Sequence, residues 1–92
     1  MKRINPRFTK LNIGCGYDKK EGFVNIDKAK EIRPDFVINI EEGLPFPDNS
    51  FDYIFSSHCL EHVSPQYWKF VLDEIARVAK KDCILELYLP FD

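Results

Sequence analysis

Leu11-Asn12-Ile13-Gly14-Cys15-Gly16, followed shortly by Phe23-Val24-Asn25-Ile26-Asp27, is the stretch on which the reading of this chain turns. Each half is a short apolar run stopped by a residue that suits a turn, first a Gly-x-Gly and then an aspartate. Such runs, rich in branched and aromatic residues, read as strands. Working outward, three more follow the same pattern: Phe36–Ile40, Phe51–Phe55 after the Pro47-Asp48-Asn49-Ser50 turn, and Cys83–Leu89 before Pro90. Between the last two, Trp68, Val71, Leu72, Ile75, Val78 and Ala79 recur at helical spacing, one apolar stripe along about four turns. Ser64 suits its N-cap and Pro65 its first position, with Lys80 and Lys81 at the cation-favouring C-terminal end. The strands are apolar on both sides, as in a parallel sheet covered on two faces. The first connections are shorter than the dozen or more residues a parallel crossover usually takes. They are therefore expected to be loops or single turns, with thin cover on part of one face. The fold class is α/β, about five strands and one main helix in a single domain over residues 1–92.

Composition excludes several functions. With 92 residues, 13 basic against 15 acidic side chains and a pI near 5.7, no cationic excess exists to follow a phosphate backbone. Nucleic-acid binding is not expected. No apolar run approaches the ~20 residues that span a bilayer, and the basic N-terminus lacks the apolar core of a signal peptide. Cys15, Cys59 and Cys83 form no paired framework and read as free thiols in a reducing, cytoplasmic setting.

A Gly-x-Gly directly after an apolar strand lets the backbone approach a ligand closely. An acid ending the next strand is placed to accept both hydroxyls of a ribose, since ligands of open parallel sheets lie outside the strands' carboxyl ends. Gly14, Gly16 and Asp27 would then share one crevice. The longer Gly-x-Gly-x-x-Gly fingerprint is broken at Lys19, so a dinucleotide is disfavoured and a nucleoside without pyrophosphate fits better.

At LNIGCG, GFVNID, EEGLPFPDNSFDYIFSSHCLEHV and EIARVAKKDCILELYLP the chain resembles class I S-adenosylmethionine-dependent methyltransferases, in a short-loop branch, from Leu11 to Pro90. The resemblance implies a Rossmann-like sheet of order 3-2-1-4-5, ending after the fifth strand and lacking the family's usual C-terminal strands. It implies S-adenosyl-L-methionine as cofactor, with Gly14, Cys15 and Gly16 under its methionine part and Asp27 on the ribose. Asn39 and Ile40 would lie by the adenine, although an aspartate is usual where Asn39 stands. Ser56 and Ser57, after strand four, would border the sulfonium and the acceptor's way in. His58 would be the candidate catalytic base, with Glu61 and His62 supporting it, because its titration range suits proton abstraction from a hydroxyl.

The same segment, His58-Cys59-Leu60-Glu61-His62, also matches His-x-x-Glu-His, a zinc-peptidase pattern. It follows a strand and Ser64-Pro65 interrupts it, so no metal is expected. Asp52 reads as a strand-start residue, Tyr67 and Trp68 as core, and Glu74 with Arg77 as a surface pair worth ~0–1 kcal/mol. Ile84–Leu89 would be an exposed apolar edge, which soluble proteins cover or pair. Two functions follow: methyl transfer to an unidentified acceptor, with the site completed by homo-oligomerisation or a partner chain at that edge, or a non-catalytic module acting through such a partner.

Overall fold

The computed structural model describes residues 3–57 and 59–88. Five strands form one sheet: β1 (Lys10–Ile13), β2 (Val24–Asp27), β3 (Phe36–Val37), β4 (Phe51–Ser57) and β5 (Ala79–Tyr88). Their order is β3-β2-β1-β4-β5, and every neighbouring pair is parallel, as expected of a Rossmann-like α/β arrangement. Among the described residues one α-helix is present, α1 (Trp68–Val78), between β4 and β5.

The early crossovers carry no α-helix. Gly14–Phe23 is a loop, and the β2-to-β3 connection holds a single 3-10 turn, Lys30–Ile32. Cover on one face of the sheet therefore comes from α1, whose Val71, Ile75 and Val78 are buried against Leu11, Ile13 and Ile54. Phe46 and Phe51 complete this core, with ring centroids 5.2 Å apart and edge to face. Each fully buried side chain of this size contributes about 1.5–3 kcal/mol relative to exposure. Trp68 packs against the same core, whereas Tyr67 and Leu72, read as part of the stripe or core, are exposed.

The opposite face is closed by side chains instead. Phe23 meets Tyr53 edge to face at 5.8 Å, and the Lys20 ammonium lies 4.3 Å from the centre of the Phe55 ring. The Tyr53 and Tyr88 hydroxyls both donate to the Glu86 carboxylate. At the outer edge β5 leaves Ile84 59%, Leu85 49% and Tyr88 50% exposed, the apolar edge expected from the sequence.

Several boundaries differ from expectation, each for a local reason. β3 stops at Val37 because Asn39 caps a 3-10 turn (Ile40–Glu42), its Oδ1 accepting from the Glu41 N–H at 3.1 Å. Ser56 and Ser57 are the last residues of β4 rather than its exit loop. The Ser64 side chain makes no cap bond. Its N–H donates to Glu41 Oε2 at 2.8 Å, and Pro65 starts a 3-10 turn (Pro65–Tyr67) that leads into α1. The helix ends at Val78, and Lys80 and Lys81 belong to β5. The Arg77 and Val78 carbonyls accept from the Asn49 and Ser50 N–H groups, so the tight turn before β4 occupies the helix end.

Arg77 corrects a larger expectation. Its side chain and that of Glu74 are only 19% and 17% exposed. The guanidinium donates to Glu74 Oε2 at 2.9 Å, to the Leu44 and Phe46 carbonyls at 2.7 Å each, and to Asp48 Oδ1 at 2.9 Å. Glu74 Oε1 in turn accepts from the Leu44 N–H at 2.9 Å. This is a partly buried hub that ties the 44–48 segment to α1, not a surface pair. A planar, five-donor group suits it because four different acceptor groups lie around one centre.

Candidate functional site

The carboxyl ends of β1 and β2 meet at the glycine turn. Gly14 and Cys15 N–H groups both donate to the Ile26 carbonyl, at 2.9 and 3.0 Å. The Gly16 N–H donates to Asp27 Oδ2 at 2.9 Å, and the Ala29 N–H to Asp27 Oδ1 at 2.8 Å. The turn and the acid are thus bonded directly. Each carboxylate oxygen accepts one backbone N–H and keeps a further lone pair.

Beside them opens a cavity of about 210 Å³ lined by Ile26, Asp27, Lys28, Ile38, Asn39 and Ile40, with Gly14, Glu41, Cys59, His62 and Val63 completing the walls. Its floor is apolar and its rim charged. Gly14 needs to be glycine twice over. Its φ is +66°, and a Cβ there would lie 2.5 Å from both Cβ and Sγ of Cys59.

Of the residues proposed from sequence, Gly14, Asp27, Asn39 and Ile40 lie together in this wall. Gly16 stands outside it but holds Asp27. Cys15 points into the interior, 4% exposed, and burial first, then the nearby Asp27 charge, pushes its thiol up to about 11. Ser56 is also interior and is not part of the wall. Its hydroxyl makes no hydrogen bond of good geometry, though its dipole favours the Cys59 thiolate against the burial and the Asp27 charge that raise that thiol. Asn39 is present in the wall, with one oxygen lone pair spent on its own turn. His58 lies outside the described residues.

Cys59, Lys28, Glu41 and Val63 were not assigned to a ligand site from the sequence, and His62, expected only as support for His58, lines the cleft itself. No spacing rule reveals them, because they reach the cleft from loops that follow β2, β3 and β4. Among the described residues no group of three or more His, Cys, Asp or Glu side chains is placed to hold a metal. No helix there is long and apolar enough to cross a membrane.

A family model described as a methyltransferase domain matches residues 8–87. No curated protein and no solved structure matches the chain.

Proposed function

This chain belongs to the methyltransferase domain family, and on that premise we propose that it binds S-adenosylmethionine at the β1–β2 strand ends and moves its methyl group to an acceptor. The observation that carries this reading is Asp27. Its carboxylate sits at the rim of an apolar cavity, is oriented by the Gly16 and Ala29 N–H groups, and has two lone pairs left for a vicinal diol. The residues fit the adenosyl group. Ile26, Ile38, Ile40 and Val63 offer apolar surface to a heterocycle, and Asn39 stands beside them at the rim.

The cavity is smaller than the ~300–1,000 Å³ of most small-molecule sites. It would take the nucleoside part, with the amino-acid part lying along the glycine turn. When bound, S-adenosylmethionine supplies a methyl group activated on a sulfonium. The protein's share is then to hold, align and exclude water, which are large effects in such transfers.

Titration with S-adenosylhomocysteine tests this. At 100 times the dissociation constant, the protein should gain ~2.7 kcal/mol of stability, read as a higher melting midpoint. Asp27→Asn, which keeps one acceptor for the backbone, should lose most of that gain. An unmoved midpoint in the unaltered chain overturns the cofactor reading and favours a scaffold without catalysis.

A further inference from the structure

Asn12 and Asn25 face each other in register on β1 and β2, and both are buried, at 2% and 6% exposure. Apolar residues are the ordinary choice at such positions, because burying an amide costs unless its groups are bonded. Here the bonds are made. Asn12 Nδ2 donates to Asn25 Oδ1 and to the Asp18 carbonyl, each at 3.0 Å. Asn25 Oδ1 accepts from the Lys20 N–H at 2.9 Å, and its Nδ2 donates to the Lys20 carbonyl at 3.0 Å. That pair of backbone partners fixes which amide atom is oxygen and which nitrogen.

Asn25 is bonded just as firmly in the other direction. Its N–H donates to Asp35 Oδ2 at 2.7 Å, and the Asp35 N–H returns a bond to the Asn25 carbonyl at 2.8 Å. Nδ2 also lies 3.4 Å from Asp35 Oδ2. Asp35 leads through β3 into Ile38, Asn39 and Ile40, one wall of the cleft, while Lys20 lies on the loop of residues 14–23, whose first residue, Gly14, lines the other wall. One residue is therefore bonded to both segments, to Lys20 through its side chain and to Asp35 through its backbone, with the 3.4 Å Nδ2 contact as the side chain's own link to Asp35.

We propose that Asn25, assisted by Asn12, is a positioning residue that sets the spacing between the glycine-loop wall and the Ile38–Ile40 wall. This rests on the reading of the cleft as an adenosyl site. The amide pair takes the place of the helix that a longer crossover would use to hold such a loop.

The test is Asn25→Asp, which keeps the shape but removes the donors and sets a second carboxylate against Asp35. Two ionised carboxylates at that distance repel, and the pair takes up a proton as the pH falls, so the variant should bind S-adenosylhomocysteine about tenfold more weakly than the unaltered chain at pH 8, with affinity returning towards pH 5. The charged neighbours are Asp35 itself, Asp18 and Lys20 on the loop, Lys19, which donates to the Ile32 and Arg33 carbonyls, and Asp27 at the strand end. Cys15, held up at about 11, stays protonated throughout. Adding Asp35→Asn should restore binding at pH 8.

Unchanged binding in Asn25→Asp, or a loss that neither acid nor the second substitution recovers, overturns the proposal. A ligand-free arm separates it from the cofactor reading. The Gly16 and Ile38 N–H groups both donate to Asp27, so the readout is the difference from the unaltered chain. In Asn25→Asp, and not in the unaltered chain, the two amide resonances should shift together between pH 8 and pH 5. Movement confined to residues near position 25 sinks the clamp even if the unaltered chain binds the probe. If the unaltered chain binds no probe but the two amides shift together, the clamp stands and only the cofactor reading falls.

Discussion

From β1 to β3 the chain crosses the sheet on loops, and what holds those loops is polar: Asn12, Asn25, Asp27 and Asp35 bonded to backbone groups. From β4 to β5 it crosses on α1, and what holds that half is mainly apolar, with Val71, Ile75 and Val78 set on Phe46, Phe51 and Ile54. The difference follows from crossover length. A helix brings its own backbone bonds and a greasy face, whereas a short loop must find partners for its N–H and C=O groups in neighbouring side chains. The candidate site sits in the loop-built half, where the polar groups are already gathered. The Arg77 hub shows that the division is not strict, since it uses the loop-built half's device inside the helical half.

The largest effect should come at the seam, where the glycine turn meets Cys59. Gly14→Ala would place a methyl 2.5 Å from Cys59 Cβ and Sγ on a backbone of φ +66°. A loss of roughly 2–4 kcal/mol is expected from strain and overpacking together, read by denaturant unfolding. Adding Cys59→Gly should recover only the packing share. If Gly14→Ala melts like the unaltered chain, the close seating of Cys59 on the turn is wrong.

Next comes Arg77→Ala. It strips donors from the Leu44 and Phe46 carbonyls and leaves Glu74 without its cation, at a cost of about 2–3 kcal/mol. That is comparable to losing a buried core side chain, and a value near zero would restore the surface-pair view. The pair also predicts a pH dependence. Its hydrogen bond with Arg77 holds the Glu74 carboxyl below the ordinary 4.5, with the Leu44 N–H helping. The folded state thus binds that proton less readily than the unfolded one. The stabilisation is complete above pH 4.5 and drains away as pH falls through the lower folded value. Arg77→Ala should flatten that part of the acid limb.

A smaller readout concerns the thiols. Cys15, buried and pushed up to about 11, should resist alkylation at pH 8 in the folded protein and react on unfolding. Rapid labelling of native Cys15 would mean that the loop-built half opens readily. Smallest of all, Lys69→Ala breaks an exposed pair with Asp73 on α1 and should leave the melting midpoint unmoved.

The fold class, the parallel order implied by family resemblance, and the meeting of Gly14 with Asp27 were legible in the residues. Short apolar runs with fixed stops constrain a chain this small to very few arrangements, and a glycine turn next to an acid carries its own chemistry. The register of Asn12 against Asn25 was not legible, because a lone asparagine within a strand says nothing about the residue it will face. Nor was the hub at Arg77, whose spacing from Glu74 suggested only a surface pair.

Local pattern, acting over a few residues, was thus enough to decide that five strands and one main helix form, though not their exact bounds, and to point to the strand ends where the candidate site lies. Only the tertiary structure decided that Cys59 rests on Gly14, that Ser56 is walled in, and that Asn39 spends an oxygen on its own turn. Those facts depend on distances between segments far apart in the chain. Such distances are set by how the whole core packs, not by any one segment's preferences.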